Sequence, residues 1–117
     1  QRANKIELVI EAAINLKVAP ALFSIVVGNL VRNAVSHTDG GSIIVSLHRD
    51  RLVVVDTGIG ISNDEIGRVF QRYYRGASSG GAGIGLSLVK RVCDRQHWEI
   101  ALESQAGGGT TATLRFI

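Results

Sequence analysis

The chain has 117 residues, one domain's worth, and with 45% hydrophobic residues it can bury a core without staples. A formal charge of +3 and an aromatic content of 5% supply neither the basic excess nor the stacking platforms of a nucleic-acid interface. The single cysteine, Cys93, precludes an internal disulfide, and no apolar run approaches the ~18 residues of a membrane span.

Ile6, Leu8 and Ile10 alternate with Glu7 along an extended run, which predicts a strand over about residues 5–13. Pro20 suits the first position of a helix, and Leu22, Phe23, Val26, Val27, Leu30, Val31, Ala34 and Val35 recur at helical spacing from Ala21 to His37. Asp39-Gly40-Gly41 ends that helix locally. The Val- and Ile-rich stretches Ser42–His48 and Leu52–Val55 flank Arg49-Asp50-Arg51 and read as a hairpin. A short helix is expected around Asp64–Val69, and a glycine- and serine-rich loop over 76–85. A second long helix is expected from Ile84 to Arg95, with Leu88, Val89, Val92 and Cys93 facing inward. Trp98–Glu103 and Thr110–Ile117 form a last hairpin through Gly107-Gly108-Gly109. Strands and helices in this order predict an α+β fold with helices on one face of a mixed sheet.

Three stretches carry chemistry. Asn29 and Asn33 lie four apart on the first helix, so their amides share a face and can offer oxygens to a hard cation. Taken alone they read equally as solvated helix edge. Val53-Val54-Val55-Asp56-Thr57-Gly58-Ile59-Gly60-Ile61 ends a strand on a carboxylate, followed by glycines that let the backbone approach something closely. A buried Asp56 can accept from an exocyclic amine such as adenine's; as a plain turn residue it needs no ligand. Asp-Thr-Gly also occurs in retroviral-type aspartic proteases, a reading that leaves the paired asparagines unexplained. Gly80-Gly81-Ala82-Gly83-Ile84-Gly85-Leu86 opens a helix, where free N–H groups suit phosphate, although a bare linker has the same composition. It is neither a dinucleotide fingerprint nor a Walker A loop. Arg68, Arg72 and Arg75 precede it and could meet a polyphosphate. His48-Arg49-Asp50 mimics a eukaryotic kinase loop, but Val55 stands where that loop needs asparagine.

Together these stretches resemble the boxes of bacterial sensor histidine kinases, within the superfamily shared with gyrase, heat-shock protein 90 and MutL. Asn29-Leu30-Val31-Arg32-Asn33-Ala34 resembles the N box, and Asp56-Thr57-Gly58-Ile59-Gly60-Ile61 the G1 box. Phe70-Gln71-Arg72-Tyr73-Tyr74-Arg75 resembles the F box, and Gly81-Ala82-Gly83-Ile84-Gly85-Leu86 the G2 box. Gly108-Gly109-Thr110-Thr111 is similar to the family's last hairpin, so the likeness covers residues 20–117 in order.

The resemblance implies a two-layer α/β sandwich over residues 1–117: a five-stranded mixed sheet, three helices on one face, and a nucleotide lid at about 71–83. It implies ATP and Mg²⁺ as cofactors. Asn33 would bind the metal with Asn29 beside it, and Asp56 would accept from adenine, with Gly58 and Gly60 around it. Gly81, Gly83, Gly85 and Leu86 would meet the phosphates, with Arg72, Tyr74 and Arg75 reaching from the lid; Asn29, Asn33 and Arg75 are the catalytic candidates. Ser36, His37 and Ala82 depart from the family's usual basic residue, tyrosine and threonine. The implied reaction moves the ATP γ-phosphoryl group to a histidine on a dimerisation segment of the parent protein. His37, His48 and His97 lack that segment's acidic and proline neighbours, so none is the expected acceptor. A response regulator would follow indirectly. The domain itself is expected as a monomer on the cytoplasmic side, its parent anchored in the inner membrane. Two rival functions are a nucleotide-binding module without catalysis and an ATP hydrolase. The hydrolase reading meets an obstacle, since no Asp or Glu occurs from Ala21 to His37 to activate water.

Overall fold

A computed structural model describes residues 4–10, 20–60, 85–104 and 107–116. In chain order they form β1 (Lys5–Ile10), α1 (Pro20–Ser36), β2 (Ser42–Leu47), β3 (Arg51–Asp56), α2 (Gly85–Gln96), β4 (Glu99–Ser104) and β5 (Thr110–Arg115). The fold is α+β: a five-stranded sheet in the order β1-β2-β3-β5-β4. β1 runs parallel to β2, and the other three pairs are antiparallel, so the sheet is mixed. The parallel pair requires a crossover, which contains α1. The short helix expected at 64–69 and the loop expected at 71–83 lie outside the described residues, as do residues 11–13 of the first predicted strand.

Pairing register sorts the side chains into rows on the helix-bearing face. Leu47, Leu52, Leu114 and Ile100 form one row, and Val45, Val54, Ala112 and Leu102 the next. α1 covers these rows with Val26, Leu30 and Ala34, spaced four apart and no more than 2% exposed. α2 adds Leu86, Val89, Val92 and Cys93. Leu88, expected to face inward, is only half-buried and stays out of this core. The buried stripe runs 86, 89, 92 and 93, and position 88 lies to its side. Phe23, Trp98 and Phe116 close one end of the core, with Phe116 5.8 Å from Phe23 and 5.3 Å from Trp98 between ring centroids. The start of α1 is thus fixed at the Arg51–Arg115 end of the sheet, and its last turn reaches the Asp56 end.

Both helix ends are closed by backbone bonds. At the end of α1, the N–H groups of His37 and Thr38 bond the carbonyls of Ala34 and Val35, both at 3.2 Å, an i to i−3 tightening. α2 ends with Trp98 N donating to Cys93 O at 2.9 Å, across His97 at a φ of 60°. That is the left-handed position a helix stop usually gives to glycine.

Candidate functional site

The third row on the helix-bearing face changes character: it reads Ile43, Asp56, Thr110 and Ser104. Three of its four side chains are polar, where the neighbouring rows are apolar. Asp56 is 5% exposed and Thr110 4%. The Gly58 N–H donates to Asp56 Oδ1 at 2.9 Å, and the Thr110 N–H also donates to this carboxylate. Burial raises the Asp56 pKa above the usual 3.8; the bonds from Gly58 and Thr110 and the nearby His37 charge pull it down without cancelling that effect. Two N–H donors do not exhaust the acceptor capacity of a carboxylate. Asp56 therefore fits an external N–H donor, which would help offset its desolvation.

The surrounding loops are held closely against one another. Ile59 N donates to His37 O at 3.0 Å, docking the glycine loop on the end of α1. A Cβ at Gly58 would run into that same His37 carbonyl, so this position admits no side chain. Gly60 has a φ of 75°, a conformation that disfavours any larger residue. Thr57 and Ser42 exchange bonds, Thr57 N to Ser42 O at 3.1 Å and Ser42 N to Thr57 Oγ1 at 2.9 Å. Asn4 ties the loop after α1 to β1: its Nδ2 donates to Thr38 O at 2.8 Å, and its Oδ1 accepts from Gly41 N at 3.2 Å.

Asn29 and Asn33 are both half-buried on α1. Asn29 Nδ2 donates to Ile25 O at 2.7 Å, leaving the amide oxygen as the group available to a ligand. An oxygen donor of this kind fits Mg²⁺. Among the described residues no group of three or more His, Cys, Asp or Glu side chains could hold a metal. Ser36 Oγ donates to Asn33 O at 2.9 Å, so this side chain is turned onto its own helix.

Asn29 and Asn33 thus belong to α1, Asp56 to the end of β3, and Gly58 and Gly60 to the loop docked on the end of α1. Gly85 and Leu86 open α2, where the first-turn N–H groups lack intrahelical partners; Leu86 itself is 8% exposed and lies in the core. Arg72, Tyr74, Arg75, Gly81 and Gly83 lie outside the described residues. Sequence reasoning left Thr110 out of the site. Strand register puts it opposite Asp56, and Ser104 Oγ lies 2.8 Å from its hydroxyl. A strand that begins on threonine after Gly107-Gly108-Gly109 carried the signal, but only the pairing shows which strand it faces.

The mixed sheet, covered on one face by α1 and α2, has the architecture of an ATPase class. The family described as histidine kinase-, DNA gyrase B- and HSP90-like ATPase matches residues 19–117, and the chain belongs to it, as a catalytic ATP-binding domain of the sensor histidine kinase type. The sensor-like histidine kinase SenX3 of Mycolicibacterium smegmatis is 38% identical over 98 residues, 75% of this chain and 26% of the relative. The phosphate regulon sensor protein PhoR of Pseudomonas aeruginosa is 37% identical over 125 residues, 98% of this chain and 28% of the relative. The chain therefore spans about a quarter of the length of these curated relatives. Among solved structures, the mycobacterial sensor histidine kinase MprB superposes with a TM-score of 0.82 at 25% identity, over 95% of this chain and 81% of that one. No helix among the described residues is long and apolar enough to cross a membrane.

Proposed function

We propose that this domain binds Mg-ATP and donates its γ-phosphoryl group to a histidine on a separate dimerisation segment of the parent protein. The observation that carries the reading is the buried Asp56, held by two backbone N–H groups beside a helix that presents Asn29 and Asn33. Asp56 accepts from the adenine amine. Gly58 and Gly60 keep side chains out of the way, so the base can approach the backbone. Two turns of α1 then lead from the base to the amide oxygens that face the phosphates. Mg²⁺, when bound, neutralises charge on the transferring phosphoryl group. Asn33, with Asn29, holds it there. Gly81, Gly83, Gly85 and Leu86 supply the turn and the helix start for the phosphates. Residues 71–83 act as a cover from which Arg72, Tyr74 and Arg75 reach inward.

This domain orients the donor, and the acceptor histidine supplies the nucleophile. α1 carries no carboxylate to activate water, which favours transfer over hydrolysis. In the parent protein the domain works on the cytoplasmic side of the inner membrane, and a response regulator receives the phosphoryl group afterwards.

The test uses ATP labelled in the γ-phosphate and a separately supplied dimerisation segment. Label should pass to that segment slowly, because the covalent link that raises effective concentration is missing. It should not appear on His37, His48 or His97. Steady Mg²⁺-dependent hydrolysis at ~1 s⁻¹ or faster, abolished by Asn33→Ala, would instead establish the hydrolase.

A further inference from the structure

We infer that two copies of this domain join their sheets edge to edge, β1 against β1, antiparallel about a twofold axis at Leu8. β1 is an outer strand, paired only with β2 among the described residues. Its register sets Ile6 beside Ile43, Leu8 beside Val45 and Ile10 beside Leu47, so its aliphatic side chains prolong the apolar rows of the helix-bearing face. α1 packs over β2 and β3, and β1 lies beyond its cover. Ile6, Leu8 and Ile10 are 55%, 64% and 62% exposed, the largest group of apolar side chains that reach solvent on one element among the described residues.

The backbone of this edge is open as well. Lys5 N donates to Gly41 O at 2.9 Å, and in a parallel ladder alternate residues bond the same neighbour. Lys5, Glu7 and Val9 therefore direct their backbone groups to β2, while Ile6, Leu8 and Ile10 turn theirs outward. Natural sheets guard such an edge with proline, a bulge or an inward-pointing charge, and β1 has none of these on its apolar side. The opposite edge differs: β4 packs Ile100 and Leu102 against the core and exposes Glu99 and Glu103.

A second copy completes β1. An axis at Leu8 sets Leu8 opposite its own copy and Ile6 opposite Ile10, each pair exchanging both N–H···O bonds. The outward groups of the strand are then satisfied, and the aliphatic side chains of both copies meet on one face. Neighbouring axes fit worse. At Glu7 the two Glu7 carboxylates would oppose each other, and at Ile6 the Leu8 side chain would face Asn4. Three side chains and one strand edge per copy fall short of the ~800 Å² that a standard interface buries per partner, so free domains pair weakly and are monomers when dilute. The contact forms at the millimolar effective concentrations that tethering two copies supplies.

Disulfide trapping and sedimentation, at protein concentrations up to ~1 mM, test this. Paired residues that exchange hydrogen bonds lie ~5.5 Å apart at Cα, within disulfide reach. Leu8→Cys should therefore form a linked dimer under mild oxidation, about tenfold or more faster than Glu7→Cys, which a two-residue stagger sets beyond that reach. Cys93 is buried and takes no part. The wild type should show a reversible dimer at the upper concentrations. Leu8→Lys should weaken it about tenfold and leave the melting temperature unchanged, since the side chain is exposed. Nucleotide binding enters none of these readings, so their failure leaves the proposed function standing. A wild type that is monomeric throughout overturns the inference, as does equal trapping of Leu8→Cys and Glu7→Cys, or a dimer that Leu8→Lys leaves intact. Slowed amide exchange at Ile6, Leu8 and Ile10 that needs an added dimerisation segment also overturns it, assigning the edge to that segment.

Discussion

Replacing Asp56 by asparagine should weaken nucleotide binding while leaving the empty domain as stable as before, or more so. The carboxylate is buried and accepts backbone N–H bonds from Gly58 and Thr110. An asparagine must turn its oxygen toward those donors. Its NH₂ then faces the adenine amine, donor against donor. A hydrogen bond to a charged acceptor is worth about 1.5–3 kcal/mol, so ADP affinity should fall about 10- to 150-fold. Stability should move the other way. Burial holds the Asp56 pKa above 3.8, so the folded state binds this proton more tightly than the unfolded chain does. For a carboxylate with a raised folded pKa, the associated stability is present below the unfolded value and lost as pH rises through the folded one. At pH 7 the wild type therefore bears the full penalty of a buried charge, and the asparagine variant does not. Titration calorimetry with ADP and thermal unfolding of the empty domain read the two effects. The melting temperature of Asp56→Asn should equal or exceed the wild type's at pH 7, with the gap closing as pH falls toward 3.8. Wild-type ADP affinity should also fall as pH drops through the raised pKa, a dependence absent from the variant. Unchanged ADP affinity, or a markedly lower melting temperature at pH 7, would refute the reasoning.

His97→Gly should stabilise the domain by about 1 kcal/mol, because the αL conformation at the end of α2 strains a residue with a Cβ. Thermal unfolding should show a rise of a few degrees, with ADP affinity unchanged. Gly58→Ala should destabilise by about 1–3 kcal/mol and weaken ADP binding, since the added methyl meets the His37 carbonyl; chemical unfolding and calorimetry check both. The Cys93 thiol, fully buried and pushed up to about 11, should resist alkylation at pH 8 until the protein unfolds, as timed mass measurements would show.

Much of the fold could be read from periodicity. The α1 stripe, the Val- and Ile-rich strands and the second long helix lie within a residue or so of their expected bounds. Arg51 was assigned to the hairpin turn and instead begins β3, because His48 N bonds Arg51 O at 2.8 Å and leaves a tighter loop. Such a shift depends on pairing, which composition does not reveal. Leu88 was misplaced for a related reason: neighbouring apolar residues on a short helix leave the stripe's direction open until a partner surface selects it. The same limit hid Thr110. Asp56 and the α1 amides were legible because each occupies a defined place in its own element, a strand end or an i, i+4 pair. Thr110 acquires its role only through register with β3, more than fifty residues earlier in the chain.

The central claim is that Asp56 and the α1 amides form one site, with the metal held at the amide end. Titrating ADP into the wild type and Asn33→Ala, each with and without Mg²⁺, tests it most directly. The account predicts that Mg²⁺ strengthens ADP binding in the wild type. In Asn33→Ala, metal-free ADP affinity should persist and most of the Mg²⁺ gain should vanish. No binding by the wild type, or the same Mg²⁺ gain in both proteins, would contradict it.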